Sequence, residues 1–416
     1  MRKLPFIILV LFIFSIPWQD VVYLPGGLPA VSRILGVLLI FAALLTLIKG
    51  NNLTVRRPSL MLMLTVLFVF WAALSSFWGS RISSSLVISL RYLQLGTMVW
   101  MIWQICRTQE QHRILLQAFV LGAYVLSGST TYQGITNPFV PNSEALYERF
   151  TGIGGNANDI AGIMALAIPI AWHLSLVTKN GLLRIINLLY LPIAMLAIIL
   201  TASRGGFIIA IIGLTLVPLT FRYANTSRKF IVAFALIIMC VLVIRFTPQQ
   251  NFNRILETSS EISEGNVSNR SQIWRAGLEV YSESPLLGVG VGNFTLATTP
   301  ILGYTIPAHN AYVLILTELG IVGILLFLSI FAVTLLPLLR LEFPEKQFYF
   351  VLTFALALSI FPANDEDAQH VWALLAIMTT RYAYVMTFSH TIDTIRQTSL
   401  SVRSAITPRK RKLPVR

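Results

Sequence analysis

Residues 307–340 read PAHNAYVLILTELGIVGILLFLSIFAVTLLPLLR. Between His309 and Leu339 the one formally charged side chain is that of Glu318. A helix over this run would extend about 45 Å, whereas the hydrocarbon core of a bilayer is about 30 Å thick. We therefore expect a membrane-spanning helix that tilts or extends beyond the bilayer, with His309 at one end.

The same apolar character extends along the whole chain. Of the 416 residues 56% are hydrophobic and only 12% are charged, and the mean hydropathy is +0.74. A soluble domain could not bury so much apolar surface, so the chain is predicted to be an all-α polytopic membrane protein. Twelve stretches are long enough, or nearly so, to cross a bilayer, at approximately 4–18, 28–48, 59–78, 86–105, 114–132, 157–177, 183–201, 204–221, 230–247, 309–339, 347–362 and 369–388.

The basic residues predict the orientation of these stretches. With both termini in the cytoplasm, every lysine and most arginines fall on cytoplasmic segments, and most acidic residues fall on the outer side. The first stretch is expected to be a signal anchor, because the residues 18–20 after it form a poor cleavage site. The predicted organisation is nine membrane helices in 1–247, a large outer loop with short helices in 248–308, three membrane helices in 309–388 and a basic cytoplasmic tail in 389–416.

The net charge of +14 does not indicate a nucleic-acid partner. Most of the charge lies in cytoplasmic loops and in the tail at 409–412, where basic residues set the topology and contact anionic membrane lipid. Cys106 and Cys240 lie within or at the ends of apolar stretches, so no disulfide framework is expected. No histidine and carboxylate set has the spacing of a metal site, and we predict neither a metal nor a cofactor.

Ionisable side chains concentrate on the outer side, and every basic one there is an arginine. A guanidinium presents a planar fork of donors suited to bidentate phosphate contacts, whereas lysine is a point charge. We interpret the outer side as a diphosphate-binding surface, although Arg33, Arg245 and Arg254 are expected to pair with acids or reach the headgroups. The outer arginines are Arg33, Arg81, Arg91, Arg149, Arg204, Arg245, Arg254, Arg270 and Arg275.

Two segments hold an arginine close to the lipid–water boundary. Arg204 lies in the hairpin TASRGG at 201–206, which is too short to rise far above the membrane. Its side chain could bind a phosphate or could simply reach the headgroups. Residues 269–282 show an approximate apolar stripe of helical period, on which Arg270 and Trp274 share a face. The pair could contact phosphate and sugar, although a helix lying on the membrane surface would show the same pattern.

Two glycine-rich segments accompany them. Residues 285–294 read PLLGVGVGNF, which resembles a nucleotide loop but lacks the Walker lysine, so we predict a tight backbone turn that lines the site. Residues 147–159 read YERFTGIGGNAND and contain Arg149 and Asn156. Asn156 could donate to a substrate or could be a turn residue, and Asp159 could complement the N-terminus of the helix that follows.

His309 is the candidate general base among the five histidines. His112, His173 and His390 are predicted to lie away from the outer side, and His370 lies beside an acidic run. A neutral imidazole at the start of a helix can accept a proton from a sugar hydroxyl near neutral pH. A lone histidine is more often structural, but the arginines on the same side favour a catalytic role.

Several of these segments resemble one known family. His309-Asn310, nine residues and then Gly320-Ile321-Val322-Gly323 resemble the signature His-Asn-(nine)-Gly-x-x-Gly of the O-antigen ligase family. The wider O-antigen ligase/polymerase superfamily has elements similar to 154–159, 201–205, 270–292 and 318–320, in this order. The chain departs from the commonest pattern at Ala157, where the family often has a proline.

The resemblance implies a metal-independent, inverting glycosyl transfer at the periplasmic face of the bacterial inner membrane, which would make 248–308 a periplasmic loop. The donor would be a glycan on undecaprenyl diphosphate, and the acceptor a sugar hydroxyl of the lipid A–core oligosaccharide. By motif, His309 would be the general base. The diphosphate would be held by Arg204 and Arg270, with Arg275 and Arg149 as weaker candidates, and the substrates would be lined by Trp274, Asn156 and Asn310.

Two alternatives stay open. A polymerase of the same superfamily would use a second lipid-linked glycan as the acceptor. A transporter of lipid-linked sugars is less favoured, because transporters bind near the membrane midplane and often contain inverted repeats. Here the ionisable groups gather on one side, and the sequence shows no repeat.

Overall fold

The computed structural model of the protein describes residues 3–19, 23–24, 28–48, 55–136, 149–223, 226–256, 270–362 and 366–381. Several sequence-based expectations fall outside these residues. They are the first part of the outer loop at 147–148, residue 269 at the start of the stretch 269–282, the side chain of Arg254, and the basic tail at 389–416.

Helices form the fold, as predicted, and each of the twelve apolar stretches contains one. Two strands of two residues, β1 (Tyr23–Leu24) and β2 (Leu28–Pro29), pair antiparallel, and short 3-10 helices occupy Ile16–Trp18 and Phe221–Tyr223. The α-helices are α1 (Lys3–Ser15), α2 (Ala30–Ile48), α3 (Leu60–Ser75), α4 (Ile82–Ile105), α5 (Gln109–Thr136), α6 (Ala157–Val177), α7 (Gly181–Leu200), α8 (Arg204–Leu214), α9 (Leu216–Thr220), α10 (Thr226–Phe246), α11 (Gln249–Leu256), α12 (Arg270–Glu283), α13 (Phe294–Leu302), α14 (Ala311–Leu338), α15 (Glu345–Ser359) and α16 (369–381).

The lengths of these helices support a multi-pass membrane protein. Within the described residues, seven helical segments are long and apolar enough to cross a bilayer, and three shorter apolar helices accompany them. The described parts of α15 and α16 are shorter than a full span. The count of twelve spans therefore stays a prediction, as does the side of the membrane on which each loop lies.

The helix α6 is the centre of the bundle. It is apolar on all sides and nearly all of its residues are buried, which is typical of a helix surrounded by other helices. The helix α8 packs closely on it, because a Cβ added at Gly206 would lie 2.3 Å from the Cβ of Ala161 and one added at Gly213 would lie 2.8 Å from Cδ of Pro169. By contrast, α10 exposes large apolar side chains such as Phe230 and Ile244, as expected for a helix at the lipid boundary.

The long apolar run that starts near His309 forms α14, and this helix is broken. Gly320 has φ 65° and ψ −166°, which interrupts the helical path. A side chain there would be strained, and a Cβ would lie 2.3 Å from the carbonyl oxygen of Leu286. The break separates a short first part that carries the Asn310 cap from a longer apolar second part.

The helix α12 lies against this first part of α14. Its buried residues Ile273, Ala276, Gly277 and Val280 form the inner face, and the hydroxyl of Thr317 donates to the carbonyl of Gly277 at 3.0 Å. The helix is therefore docked on protein, which differs from the alternative of a helix that lies only on the membrane surface. The predicted apolar stripe comprised residues 273, 274, 277, 278, 280 and 281, and it was wrong at Leu278, which is exposed.

Candidate active site

Three of the predicted site residues lie at the start of helices. Arg204 and Arg270 are the first residues of α8 and α12, and His309 comes two residues before α14 begins. Helix N-termini present unpaired backbone N–H groups and the positive end of the helix dipole. Together with two guanidiniums they make this part of the protein suitable for an anion.

The backbone on both sides of His309 is fixed. Ala308 is fully buried, and its carbonyl accepts a hydrogen bond of 3.1 Å from Nε1 of Trp274. Asn310 is buried and caps α14, since its side-chain oxygen accepts from the backbone N–H groups of Tyr312 at 3.0 Å and Val313 at 3.1 Å. His309 itself has φ 48° and is half-buried. This left-handed backbone is uncommon for a residue with a side chain, and it is typical of functional positions.

The surroundings of His309 favour a neutral imidazole. Burial, followed by the nearby positive charge of Arg270, lowers the pKa of His309 below its ordinary value. A group with a lowered pKa is deprotonated at neutral pH, so the ring can accept a proton there. The same interaction indicates that His309 and Arg270 lie close enough to share an electrostatic environment.

Arg270 is anchored by a backbone carbonyl. Its Nη1 donates to the carbonyl oxygen of Pro362 at 2.7 Å, and the side chain is half-buried. Burial lowers the pKa of Arg270, but an arginine remains charged at neutral pH. A guanidinium carries five N–H donors, so the single hydrogen bond to Pro362 leaves further donors for a ligand.

The hairpin that carries Arg204 meets the same proline. A Cβ added at Gly205 would lie 3.3 Å from Cγ of Pro362, so the backbone of Gly205 lies close to the proline ring. Ser203 caps α8 by accepting from the N–H of Gly206 at 3.3 Å, and Ala202 has φ 51°. Arg204 is therefore half-buried on a tightly folded turn, and the next residue, Gly205, lies against the ring of Pro362.

Arg149 and Asn158 connect the outer segment before α6 to this hairpin. Arg149 donates to Oδ1 of Asn158 at 2.5 Å and to the carbonyl of Thr201 at 3.2 Å. The hydroxyl of Ser203 donates to the same Asn158 oxygen at 3.0 Å. Arg149 and Ser203, the residue next to Arg204, thus share the side-chain oxygen of Asn158, which is a positioning contact.

The remaining candidates are less central. Asn156 is exposed and caps α6, with its side-chain oxygen accepting from the N–H of Asn158 at 2.8 Å. Arg275 is exposed on α12. The ring of Trp274 meets that of Phe361 edge to face, with 5.4 Å between the centroids. The structure therefore brings His309, Arg270, Arg204, Trp274 and the Arg149 network to one region, and it gives Asn310 and Asn156 the role of helix caps.

The glycine-rich segment 285–294 has a different location. Gly288, Gly290 and Gly292 all have positive φ, and the segment wraps the break in α14, with the N–H of Gly290 donating to the carbonyl of Glu318 at 2.8 Å. The buried carboxylate of Glu318 accepts from the N–H of Gly292 at 2.8 Å and of Phe294 at 2.9 Å. The segment is a tight turn, as predicted, and its anion is the protein's own carboxylate.

Within the parts of the chain that the structure describes, no group of three or more histidine, cysteine, aspartate or glutamate side chains could hold a metal ion. The arrangement around His309 consists of one base and several guanidiniums at helix ends. Such groups can bind an anionic substrate and remove a proton from a hydroxyl.

These features define a multi-pass helical membrane protein with a basic, histidine-containing site at the ends of its helices. Residues 188–328 match the family model described as O-Antigen ligase, which confirms the resemblance to the O-antigen ligase family for this region of the chain. Arg204, Arg270 and His309 lie inside the matched region, whereas Arg149 precedes it and Pro362 follows it. No curated protein matches the chain.

Proposed function

We propose that the protein is an O-antigen ligase that transfers a glycan from undecaprenyl diphosphate to a sugar hydroxyl of the lipid A–core oligosaccharide. The observation that carries the proposal is that both Arg270 and the hairpin of Arg204 contact Pro362, with His309 in the electrostatic environment of Arg270. The match of 188–328 to the ligase family supports the same class of reaction.

The reaction would be a single displacement at the anomeric carbon of the donor sugar. The acceptor hydroxyl attacks this carbon while His309 takes the hydroxyl proton. The bond from the anomeric carbon to the phosphate oxygen breaks, and undecaprenyl diphosphate leaves with the electron pair. Attack from the face opposite the leaving group inverts the anomeric configuration.

The arginines would serve the leaving group. Negative charge increases on the bridging oxygen as the bond breaks, and positioned guanidiniums stabilise that charge. Arg204 and Arg270 are each the first residue of a helix, and the positive end of each helix dipole would also stabilise this negative charge. A diphosphate is already a good leaving group, and electrostatic stabilisation with a positioned base is sufficient chemistry.

The location of the reaction follows from the charge distribution. Lysines and most arginines lie on segments assigned to the cytoplasm, and the candidate site lies on the opposite side. We therefore propose a periplasmic active site in the bacterial inner membrane, with both termini cytoplasmic and with 248–308 as a periplasmic loop. The helices α12 and α13 would form part of that loop.

Deletion of the gene separates this proposal from the polymerase. A ligase deletion should accumulate long glycan chains on undecaprenyl diphosphate that never reach lipid A. A polymerase deletion should instead leave single repeats attached to lipid A. A transporter deletion should leave lipid-linked glycan on the cytoplasmic side of the membrane. The deletion strain carrying the wild-type chain should restore transfer, and the strain carrying His309→Asn should not.

A further inference from the structure

The turn at 360–362 connects three elements of the candidate site. It directly follows α15 and lies beyond the region that matches the family. Ala311 is the first residue of α14, and its backbone N–H donates to the carbonyl of Ile360 at 3.2 Å. The carbonyl of Pro362 accepts from Arg270, and the ring of Pro362 lies against Gly205.

The side chain of Phe361 adds a further connection to the histidine. Its ring packs edge to face on Trp274, and Trp274 holds the carbonyl of Ala308. The ring of Tyr312 lies 6.4 Å from that of Phe361, and the hydroxyl of Tyr312 donates to the carbonyl of Ala357 in α15. The start of α14 is therefore attached to the end of α15 at several points.

The end of α15 suits these contacts for a physical reason. The last carbonyls of a helix have no partner within the helix, and they carry the negative end of the helix dipole. Ile360 is the C-cap residue of α15, and Pro362 follows two residues later. The contact with Arg270 places a positive charge near the C-terminal end of α15, which complements the helix dipole, and the hydrogen bond to Pro362 anchors the guanidinium.

We propose that the turn 360–362 is a positioning element that holds the Arg204 hairpin, the start of α12 and the start of α14 against one another. This inference rests on the proposed function, because it assigns the turn a role in setting the relation of Arg270 to His309. The turn touches no substrate in this account, and it acts through the residues that do.

The first test is Pro362→Gly. This substitution removes the proline ring that packs against Gly205, and it lets the carbonyl of residue 362 change its orientation. We expect kcat to fall by up to about 100-fold, the effect of a shift of about 1 Å in a catalytic group. Because the charge of Arg270 would move away from His309, the pKa of His309 should rise. The acidic limb of the pH–rate profile, where the rate falls as the base is protonated, should therefore shift to higher pH. A loss of folded protein alone would lower the rate without moving that limb. Pro58→Gly, at an exposed proline ahead of α3, is the matched control and should change neither.

The second test uses a cross-link, which does not depend on loosening the turn. A Cβ added at Gly205 would lie 3.9 Å from the Cβ of Pro362, within the range of disulfides. In a background with Cys106→Ala and Cys240→Ala, the pair Gly205→Cys and Pro362→Cys should therefore oxidise. If the turn is a fixed positioning element, the oxidised protein should be at least as active as the reduced one, because the disulfide replaces the contact of the lost proline ring.

The outcomes distinguish this inference from the proposed function. The wild-type protein could transfer glycan while Pro362→Gly shows the same rate and the same position of the acidic limb. The positioning role would then be wrong, and the ligase proposal would stand. Reversible inactivation by the cross-link would also overturn the positioning role, because the turn would then have to move during turnover. A wild-type protein that transfers no glycan from a lipid diphosphate would instead contradict the proposed function.

Discussion

Two polar regions on the first part of α14 differ in how their charges are compensated. At Glu318 a buried carboxylate accepts backbone N–H groups of the glycine-rich turn, so the protein supplies both the anion and its donors. Near His309 the arginines Arg204 and Arg270 are half-buried, and they are the first residues of α8 and α12. The donors at Glu318 come from the glycine-rich turn, whereas the region of His309 contains the guanidiniums of Arg204 and Arg270. The comparison indicates that Glu318 stabilises the fold, and it supports the proposal that the His309 region binds an anionic substrate.

The largest expected effect is the loss of the base. His309→Asn should reduce transfer by at least about 100-fold, the lower range for removal of a general base. Asparagine tolerates positive φ, so the substitution removes the imidazole with little backbone strain. The rate is measured on purified protein with a lipid-linked donor, and the amount of protein in the membrane serves as the control. Wild-type transfer by this variant would contradict the assigned role.

The next effect concerns the guanidinium fork. Arg270→Lys should lower kcat by about 100-fold, similar to the loss of one donor that stabilises an oxyanion, because a point charge cannot replace two positioned N–H groups. Arg204→Lys should behave in the same way. Arg33→Lys, at an exposed site in α2, is the control and should keep near wild-type activity. If Arg270→Lys, Arg204→Lys and Arg33→Lys all transferred glycan at the same rate, the two arginines of the candidate site would have no special role compared with an arginine at the membrane boundary.

Glu318 should show the opposite pattern. Glu318→Ala leaves the N–H groups of Gly292 and Phe294 without their acceptor, which should cost about 1–3 kcal/mol of stability. Thermal unfolding in detergent measures the loss. The acidic limb of the pH–rate profile of the remaining folded enzyme should stay where it is, because Glu318 does not hold the proton that is transferred. A shifted limb would mean that Glu318 is coupled to the base.

The contact between α6 and α8 gives a further test of how the Arg204 hairpin is held. Gly206→Ala places a Cβ against Ala161 and should destabilise the protein by about 1–3 kcal/mol, as is typical of overpacking. Gly162→Ala is the matched control, because a Cβ there would meet nothing within 4 Å. If both variants unfold at the wild-type temperature, the close packing that fixes the hairpin is not required.

The smallest effect is a shift in pH dependence. The pKa of His309 lies below its ordinary value of 6.5, because of burial and Arg270. The base is therefore active above its lowered pKa, and activity should fall only when the pH drops through that value. In the profile of kcat/KM the acidic limb should lie below pH 6.5, and Arg270→Gln should move it upward. A limb at or above 6.5 in the wild type would exclude this environment for the base.

The sequence predicted the helices well because the length of an apolar run is a direct signal of a membrane helix. It also singled out His309, Arg270 and Arg204 by residue type, and the structure brings them to one region, although their catalytic roles stay predictions. The break in α14 was not foreseen. Gly320 is followed by more apolar residues, and a glycine alone does not show a positive φ.

The turn 360–362 could not be found from the sequence. Its contacts with Arg270 and Ala311 are made by backbone carbonyls, which every residue has. Pro362 is also 92 residues from Arg270 in the chain. The glycine-rich segment was recognised as a turn because alternating glycines indicate positive φ. Its partner Glu318 was not assigned a role, since a lone acid in an apolar run does not reveal which N–H groups it accepts.

The most direct test of the account is a structure of the protein with undecaprenyl diphosphate bound. If the proposed roles are correct, Arg204 and Arg270 both contact the diphosphate, and its glycan-bearing end faces the imidazole of His309. A diphosphate bound elsewhere on the protein, with neither arginine in contact, would contradict the account.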